Sequence, residues 1–248
     1  MFPSGTFSSY WSAPEIAANL LIFINLLGAL ALGLLVGYER AYHGRAAGMR
    51  TYGLVCTASC ALVVVVGHPT LWFGGHPGLV NAIPDPTRVM QGVVTGIGFL
   101  GAGVIMREGF SISGLTTAAS IWSSSAIGIM VGLGFYAAAI LLAVMSAACM
   151  TLVSMLEGWL PSRPAMAVAL HFRPGFVPRD EVLARVAAER GYDVAWGTLR
   201  IEAEAGRSVW HFVVVARGRS QGLPLPQLAE ELGRFEGVEK YQLSHARN

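Results

Sequence analysis

Charged residues are scarce in this chain, and their scarcity excludes several classes of protein. Only 13% of the 248 residues are charged and 54% are hydrophobic, and the mean hydropathy is +0.54. A typical soluble domain has about 25% charged residues, so the composition indicates a membrane protein with the lipid bilayer as a partner. The net charge of +2, without a basic run of five residues, excludes the electrostatic surface that nucleic-acid binding needs.

Cysteine is also scarce. All three cysteines fall inside apolar stretches, so no disulfide framework is expected. Cys56 and Cys60 are four residues apart, but no His or acidic residue shares their stretch, which favours buried thiols over a metal site. His68 and His76, which precede Asp85, leave a divalent-cation site as an alternative to an ordinary surface loop. We expect no metal site and no cofactor.

The few charges are concentrated towards the end of the chain. Residues 1–157 hold 10 charged side chains and residues 158–248 hold 22. This contrast divides the sequence into an apolar region and a soluble tail. We predict an extracytoplasmic leader over residues 1–15, a transmembrane domain over 16–157, a linker over 158–164 and a cytoplasmic domain over 165–248.

The apolar region contains stretches long enough to cross a membrane, since a bilayer core of about 30 Å needs roughly 20 apolar residues per helix. The first stretch follows a leader without Lys or Arg and does not end at a small-residue cleavage site, so it is not a signal peptide. The pattern predicts an all-α membrane domain with five transmembrane helices over residues 16–36, 51–66, 89–106, 115–133 and 135–156.

The basic residues of the loops predict the orientation. Arg40, Arg45 and Arg50 lie in the first link and Arg107 lies in the third. Links rich in Lys and Arg stay in the cytoplasm. The N-terminus is therefore expected outside the cytoplasm and the tail inside it, as in a multi-pass membrane protein.

The tail changes to the two-residue periodicity of strands. Strands are predicted over 165–172, 196–204, 208–216 and 238–244, with helices over 179–189 and 225–232. This order is β-α-β-β-α-β, the ferredoxin-like arrangement, and indicates a small α+β, ACT-like domain. The tail has no phosphate loop, nucleophile pair or metal-ligand spacing, so it is expected to bind a small ligand or to hold a dimer. No catalytic residue is expected in either region, and the chain is not expected to be an enzyme.

Polar residues recur at the start of the third span. Asp85 followed by Pro86 is typical of an N-cap with proline in the first turn. Arg88, Gln91 and Thr95 recur at three and four residues, which places them on one face of the helix. Ionisable residues in spans are costly and often functional, so a binding role remains the alternative to the cap.

A second polar stripe lies on the fourth span. Thr117, Ser120 and Ser124 share one face, with Thr116 and Ser123 beside it. We expect this stripe to meet the stripe of the third span. Hydroxyl residues of this kind either pack helices and bond between them or line a narrow polar cavity that opens outward.

Charged residues gather at the cytoplasmic edge. Glu39 and Arg40 close the first span, Arg50 opens the second and Arg107 follows the third. These residues either anchor the helix ends in the headgroups or bind a partner or ligand. Because a carboxylate does not direct the orientation of a membrane protein, we expect Glu39 to form an ion pair with one of the three arginines.

Glycines recur in two spans. The stretch 96–101 matches the pattern G-x-G-x-x-G but lies within an apolar span, where a dinucleotide-binding turn has no place. Glycines instead let neighbouring backbones approach. We predict helix packing at Gly33, Gly37, Gly92, Gly96, Gly98, Gly101 and Gly103.

Four separated blocks, in this order, carry a family resemblance: GLLVGYER at 33–40, AGMRT at 47–51, the stretch from Arg88 through VTGIGFLGAGVI, and GLTTAA at 114–119. They closely resemble the MgtC/SapB family over roughly residues 16–157. The longer link at 67–87 departs from the short outer link of many members. The family motif falls on Glu39, Arg40, Arg50, Asp85, Arg88, Gln91, Gly96, Gly98, Gly101, Thr116 and Thr117.

The resemblance implies a bacterial inner-membrane protein for survival in low magnesium and in hosts, which modulates other membrane proteins such as the ATP synthase. The leading hypothesis is therefore a non-enzymatic regulator whose domain docks on a membrane partner. The alternative is a transporter or channel for Mg²⁺ or another small ion, which would use the polar residues of the third and fourth spans. A third possibility is an anion held at Arg88. The Gly33-x-x-x-Gly37 spacing and the tail predict a homodimer.

Overall fold

The computed structural model describes residues 11–45, 47–75, 85–108, 111–159, 163–204, 207–218 and 224–245. The chain forms two compact units. One consists of Met1–Met106 with Gly114–Met155, and the other of Arg107–Ser113 with Leu156–Asn248.

The first unit is helical. Its helices are α1 (Ala13–Tyr42), α2 (Met49–Gly67), α3 (Pro86–Val104), α4 (Leu115–Gly132) and α5 (Tyr136–Trp159), with a 3₁₀ turn at Pro69–Gly75. Among the helices that the structure describes, four are long and apolar enough to cross a membrane, namely α1, α2, α4 and α5. The predicted third span coincides with α3, which is not among these four because its first turns carry Arg88 and Gln91.

Helices α3 and α4 each follow a residue whose type suits the start of a helix. The Asp85 carboxylate accepts a hydrogen bond from the backbone N–H of Thr87 at 2.9 Å, as the Asp-Pro pattern predicts for an N-cap. Gly114 precedes α4 with φ of 88°, a left-handed conformation that glycine adopts without strain. A Cβ at this position would also collide with the carbonyl oxygen of Val104.

Glycines bring α1, α2 and α4 into backbone contact. A Cβ on Gly33 would lie 2.7 Å from the carbonyl oxygen of Tyr52, and one on Gly37 would lie 2.6 Å from the Cα of Met49. A Cβ on Gly132 of α4 would lie 2.9 Å from the carbonyl oxygen of Cys60. Helix α2 therefore sits between α1 and α4, with the close approach that the sequence predicts for Gly33 and Gly37.

The glycines of α3 behave differently. A Cβ on Gly101 would meet the side chain of Ala118 at 3.5 Å. Around four other glycines, no atom of the described residues lies within 4 Å of such a Cβ; these are Gly92, Gly96, Gly98 and Gly103. The prediction that these four pack helices is wrong within one copy of the chain, because α3 contacts its neighbours through another face, on which Val93 and Gly101 are buried.

Helix α5 is joined to the others by polar contacts and small residues. Tyr136 donates its hydroxyl to the side-chain oxygen of Asn25 at 2.8 Å, and Ser123 and Ser146 bond to one another at 2.6 Å. Ala139 and Ala143 are fully buried. Side-chain hydrogen bonds thus link α5 to both α1 and α4.

The second unit contains an antiparallel sheet with two helices. A short two-stranded sheet pairs β1 (Met106–Glu108) with β2 (Ser111–Ser113). The tail then runs through β3 (Ala165–Phe172), α6 (Asp180–Glu189), β4 (Tyr192–Glu204), β5 (Arg207–Ala216), α7 (Leu225–Gly233) and β6 (Val238–His245). The four tail strands are ordered β4-β5-β3-β6, with every pair antiparallel. The predicted order of strands and helices is confirmed, although β4 begins earlier than predicted.

Alternation along the strands builds the tail core. Leu170 and Phe172 of β3 and Phe212 of β5 are buried on one side of the sheet, where Leu183 of α6 and Leu228 of α7 join the same cluster. Alternate residues of a strand face opposite sides, so the two helices cover a single face of the sheet.

Candidate functional site

A buried ion pair closes helix α1. Arg40 donates its Nε hydrogen to the Glu39 carboxylate, and only 8% of Glu39 and 4% of Arg40 are exposed. His43, one turn further on, places Nδ1 at 3.0 Å from the other Glu39 oxygen. Of the three arginines expected as partners of Glu39, Arg40 is the one that pairs with it, whereas Arg50 is exposed. Its exposure suits anchoring in headgroups.

Tyr52 lies beside this ion pair and connects it to α4. The Tyr52 side chain is fully buried, and its hydroxyl bonds to the Ser120 hydroxyl. Ser120 in turn donates to the carbonyl oxygen of Thr117 at 2.9 Å. Because Ser120 has a single hydrogen to donate, Tyr52 is the donor in their bond. Helix α1 lies close to Tyr52 just before the ion pair, since a Cβ on Gly37 would be 3.1 Å from the Tyr52 Cβ.

These residues form one group, the buried polar cluster of Glu39, Arg40, Tyr52, Thr117 and Ser120. Three helices contribute to it, with α2 supplying the residue in the middle. Buried polar groups are stable only when they are hydrogen-bonded, and in this cluster the Tyr52 and Ser120 hydroxyls and the Glu39 carboxylate each have a partner, while Thr117 contributes its backbone carbonyl oxygen. The cluster can therefore fix the relative positions of the three helix ends, while a binding role for its members stays a prediction.

The sequence reasoning missed Tyr52. Tyr52, Cys56, Ser59 and Cys60 recur at the spacing of one helix face, and all four are buried. That periodicity was the available signal for the interior face of α2. Further along this face, Ser59 bonds to Ser125 of α4 at 2.8 Å.

The hydroxyl stripe of α4 faces α2. Besides Ser120, Ser124 donates to the carbonyl oxygen of Tyr52 at 3.0 Å. The neighbouring Thr116 is exposed. The prediction that this stripe meets the polar stripe of α3 is therefore wrong, because Arg88, Gln91 and Thr95 are exposed. The outward-opening cavity between the two stripes, which the ion-transport alternative needs, has no counterpart in these helices.

Asp85 and Arg88 stand at the start of α3 as an exposed pair of opposite charges. The Arg88 Nε is 4.0 Å from one Asp85 oxygen, with 86% and 52% of the two side chains exposed. The other Asp85 oxygen accepts bonds from both the hydroxyl and the N–H of Thr87. These two bonds lower the pKa of the Asp85 carboxyl, so it is ionised at neutral pH.

An exposed stripe of polar and small residues runs along α3. Gln91, Thr95, Gly98 and Ala102 are spaced by four, three and four residues, and all are exposed. The Thr95 hydroxyl donates to the carbonyl oxygen of Gln91 at 2.8 Å, within the same helix. We call this stripe the polar face of α3. Its small side chains leave the helix backbone open to close approach by another helix.

Metal ligands are not grouped in the part of the chain that the structure describes, where no three His, Cys, Asp or Glu side chains could hold an ion together. Cys56 and Cys60 are buried free thiols, as expected. His68 lies 3.0 Å, through Nδ1, from the carbonyl oxygen of Val64. The expectation for His76 lies outside the described residues.

Comparison with known proteins gives a consistent family. The MgtC family model matches residues 26–159. Protein MgtC of Brucella abortus (strain 2308) is 44% identical over 109 residues, which cover 44% of this chain and 41% of that protein. Protein MgtC of Salmonella typhimurium (strain LT2) is 42% identical over 111 residues, covering 45% of this chain and 43% of that protein.

The chain thus spans about two fifths of the length of the curated relatives that it matches. No solved structure matches it. Because the family model covers more than half of the chain, and because four helices are long and apolar enough for a bilayer, this multi-pass membrane protein belongs to the MgtC family.

Proposed function

We propose that this chain is a non-enzymatic MgtC-type factor that docks on another membrane protein through the polar face of α3. The observation that carries the proposal is the exposure of Gln91, Thr95, Gly98 and Ala102 along one side of that helix. A partner helix would cover this stripe and bury its polar groups. The resemblance to the MgtC/SapB family adds that the partner is a membrane protein such as the ATP synthase, in bacteria adapting to low magnesium or to a host.

The proposal includes α3 as a fifth transmembrane helix. Its 19 residues, at about 1.5 Å per residue, span a length close to the bilayer core of about 30 Å. Polar side chains that face lipid are unfavourable, and in membrane proteins they turn towards other helices or water. Gln91 and Thr95, on the uncovered side of α3, therefore favour a protein neighbour over lipid.

The arrangement in the membrane follows from the same five spans. The N-terminus is placed outside the cytoplasm, and the tail with its 12 Lys and Arg residues inside it, in agreement with the positive-inside rule. The membrane in question is the bacterial inner membrane. A homodimer is compatible with the exposed α3, and a second copy competes with a foreign partner for the same face.

The tail supplies the regulatory input in this proposal. Its strand order, β4-β5-β3-β6, supports a ferredoxin-like, ACT-like domain. The two helices of the described tail cover one face of the sheet, and β4 and β6 are its edge strands. Exposed faces and edges of this kind pair with other chains or take small ligands, so ligand binding or pairing at the tail would control the docking of the membrane domain.

The test compares two glycines that stand in open space. Gly98 lies on the polar face and Gly28 lies on the exposed side of α1; no atom of the described residues is within 4 Å of a Cβ on either. Tagged chains carrying Gly98→Leu or Gly28→Leu are purified from native membranes in a mild detergent, and the co-purified membrane proteins are quantified. We expect Gly28→Leu to retain the partner of the unmodified chain and Gly98→Leu to lose it. Equal retention by both variants would contradict the proposal.

A further inference from the structure

An open groove separates α2 from α3. Its volume is about 620 Å³, and apolar side chains line it, including Leu54 and Leu62 of α2 and Val89 and Val93 of α3. The groove is distinct from the polar face, because its α3 residues lie on the flank of the helix that turns towards α2.

Two glycines keep the groove open. Gly92 and Gly96 line it one turn apart, and within the described part of the chain nothing lies within 4 Å of a Cβ at either position. Any larger residue at these positions would project into the groove. The buried Val93 lies between these two glycines in the chain and also lines the groove.

Two opposite charges lie at the start of α3, before the groove-lining glycines. Arg88 precedes Gly92 by one helical turn, and residues four apart lie on the same side of a helix. Its side chain is 86% exposed, and its Nε stands 4.0 Å from Asp85 Oδ2. Asp85 Oδ1 accepts both bonds from Thr87, whereas Oδ2 is the oxygen that faces Arg88. The groove is thus lined by apolar side chains and has a cation and an anion beside it.

We propose that the groove binds one acyl chain of a glycerophospholipid with a zwitterionic, primary-amine headgroup, whose phosphate lies on Arg88 and whose ammonium group lies on Asp85. Phosphatidylethanolamine is the lipid of this chemistry. The proposal rests on α3 crossing the bilayer, as proposed above, and is independent of any protein partner at the polar face.

Charge complementarity favours this occupant. A guanidinium binds a phosphate through paired hydrogen bonds, and the Asp85 carboxylate accepts hydrogen bonds from a primary ammonium. A purely anionic headgroup would add negative charge beside the Asp85 carboxylate and has no hydrogen to donate to it. A quaternary ammonium headgroup also has no hydrogen to donate, and an apolar helix offers neither side chain a partner beyond the one that each has in the other. Of these occupants, the zwitterionic headgroup with a primary amine is the one that offers hydrogen-bond partners to both side chains.

The first experiment measures lipid affinity. The delipidated full chain in detergent is titrated with phosphatidylethanolamine, phosphatidylcholine or phosphatidylglycerol in mixed micelles, and native mass spectrometry counts the lipids retained. We expect one tightly held lipid, with phosphatidylethanolamine preferred. Arg88→Gln should weaken binding of all three by up to about fivefold, the range of one exposed charge contact. Asp85→Asn should remove only the preference for the amine, since Asn also caps helices well.

The second experiment fills the groove with a larger side chain. Gly96→Leu places a side chain in the groove, whereas Gly98→Leu on the polar face is the matched control, and the open space around both glycines removes folding as a difference between them. We expect Gly96→Leu to lose the retained lipid and Gly98→Leu to keep it. Equal affinity for the three lipids, or a lipid retained by Gly96→Leu, would overturn the proposal. The proposal would also be overturned if Gly96→Leu made the chain dissociate from a second copy of itself while it kept its lipid.

The outcomes separate this inference from the proposed docking function. If only the docking function is wrong, Gly98→Leu retains the partner and Gly96→Leu still loses the lipid. If only the lipid site is wrong, Gly96→Leu retains its lipid and Gly98→Leu still loses the partner. The two glycines therefore report on the two sites independently.

Discussion

Removing both members of the Glu39–Arg40 pair should cost less stability than the sum of the losses caused by removing each member alone. Glu39→Gln leaves Arg40, a residue that is 4% exposed, without its anion. A buried charge that loses its partner costs about 3–5 kcal/mol of folding free energy. Since Glu39 is 8% exposed and pairs with the half-exposed His43, we expect a value near the lower limit, about 3 kcal/mol.

The double variant tests the reasoning. In Glu39→Gln with Arg40→Gln no charge is buried alone, so its loss of stability should fall below the sum of the two single losses by about 2 kcal/mol. Arg50→Gln is the control, because Arg50 is exposed and exposed substitutions stay within about 0.5 kcal/mol.

The assay is reversible unfolding of the full chain in mixed micelles with increasing dodecyl sulfate, followed by circular dichroism. Stability losses that simply add would refute the interpretation of this pair as a coupled buried unit. An equally large effect of Arg50→Gln would refute the assignment of Arg40 as the partner.

Three further predictions concern single side chains. Ser120→Ala should lower the free energy of unfolding by about 1–3 kcal/mol and Tyr52→Phe by about 1 kcal/mol, because only Ser120→Ala leaves the Tyr52 hydroxyl buried without an acceptor. The same unfolding assay compares the two variants, and the reverse order would count against the cluster. Gly37→Leu should prevent the packing of α1 on α2, which a Cβ would approach to 2.6 Å, whereas Gly28→Leu should be tolerated; yield of monodisperse protein measures both. Burial raises the pKa of the Tyr192 phenol, so the unfolded tail releases the phenol proton at a lower pH than the folded tail does. The stability of the tail should therefore be intact below about pH 10 and decline above it. Hydrogen exchange of the tail across this pH range, compared with Tyr192→Phe, checks the sign, and an identical decline in the variant would exclude Tyr192 as the cause.

The sequence was sufficient wherever the determining interactions are local. The Asp85-Pro86 cap depends on adjacent residues, and the strands of the tail follow from alternation within each segment. Hydropathy alone located the four helices that are long and apolar enough to cross a membrane, because each needs only length and apolar composition.

The sequence did not specify which helices pack against each other. The hydroxyls of α4 share a face with helical spacing, but nothing in that spacing specifies whether the facing helix is α2 or α3. Tyr52 was missed because its acceptor, Ser120, lies 68 residues further along the chain. The glycines of α3 show the same limit, since small residues permit a close neighbour without specifying that the neighbour belongs to the same chain.

Site-specific photo-crosslinking in native membranes tests the central claim most directly. A photoreactive side chain at Thr95 on the polar face of α3 is compared with one at Leu141, which is 59% exposed on α5. The account predicts that Thr95 forms a discrete adduct with another membrane protein and that Leu141 reacts with lipid. Lipid adducts alone at Thr95, or the same protein adduct at both positions, would contradict docking through the polar face.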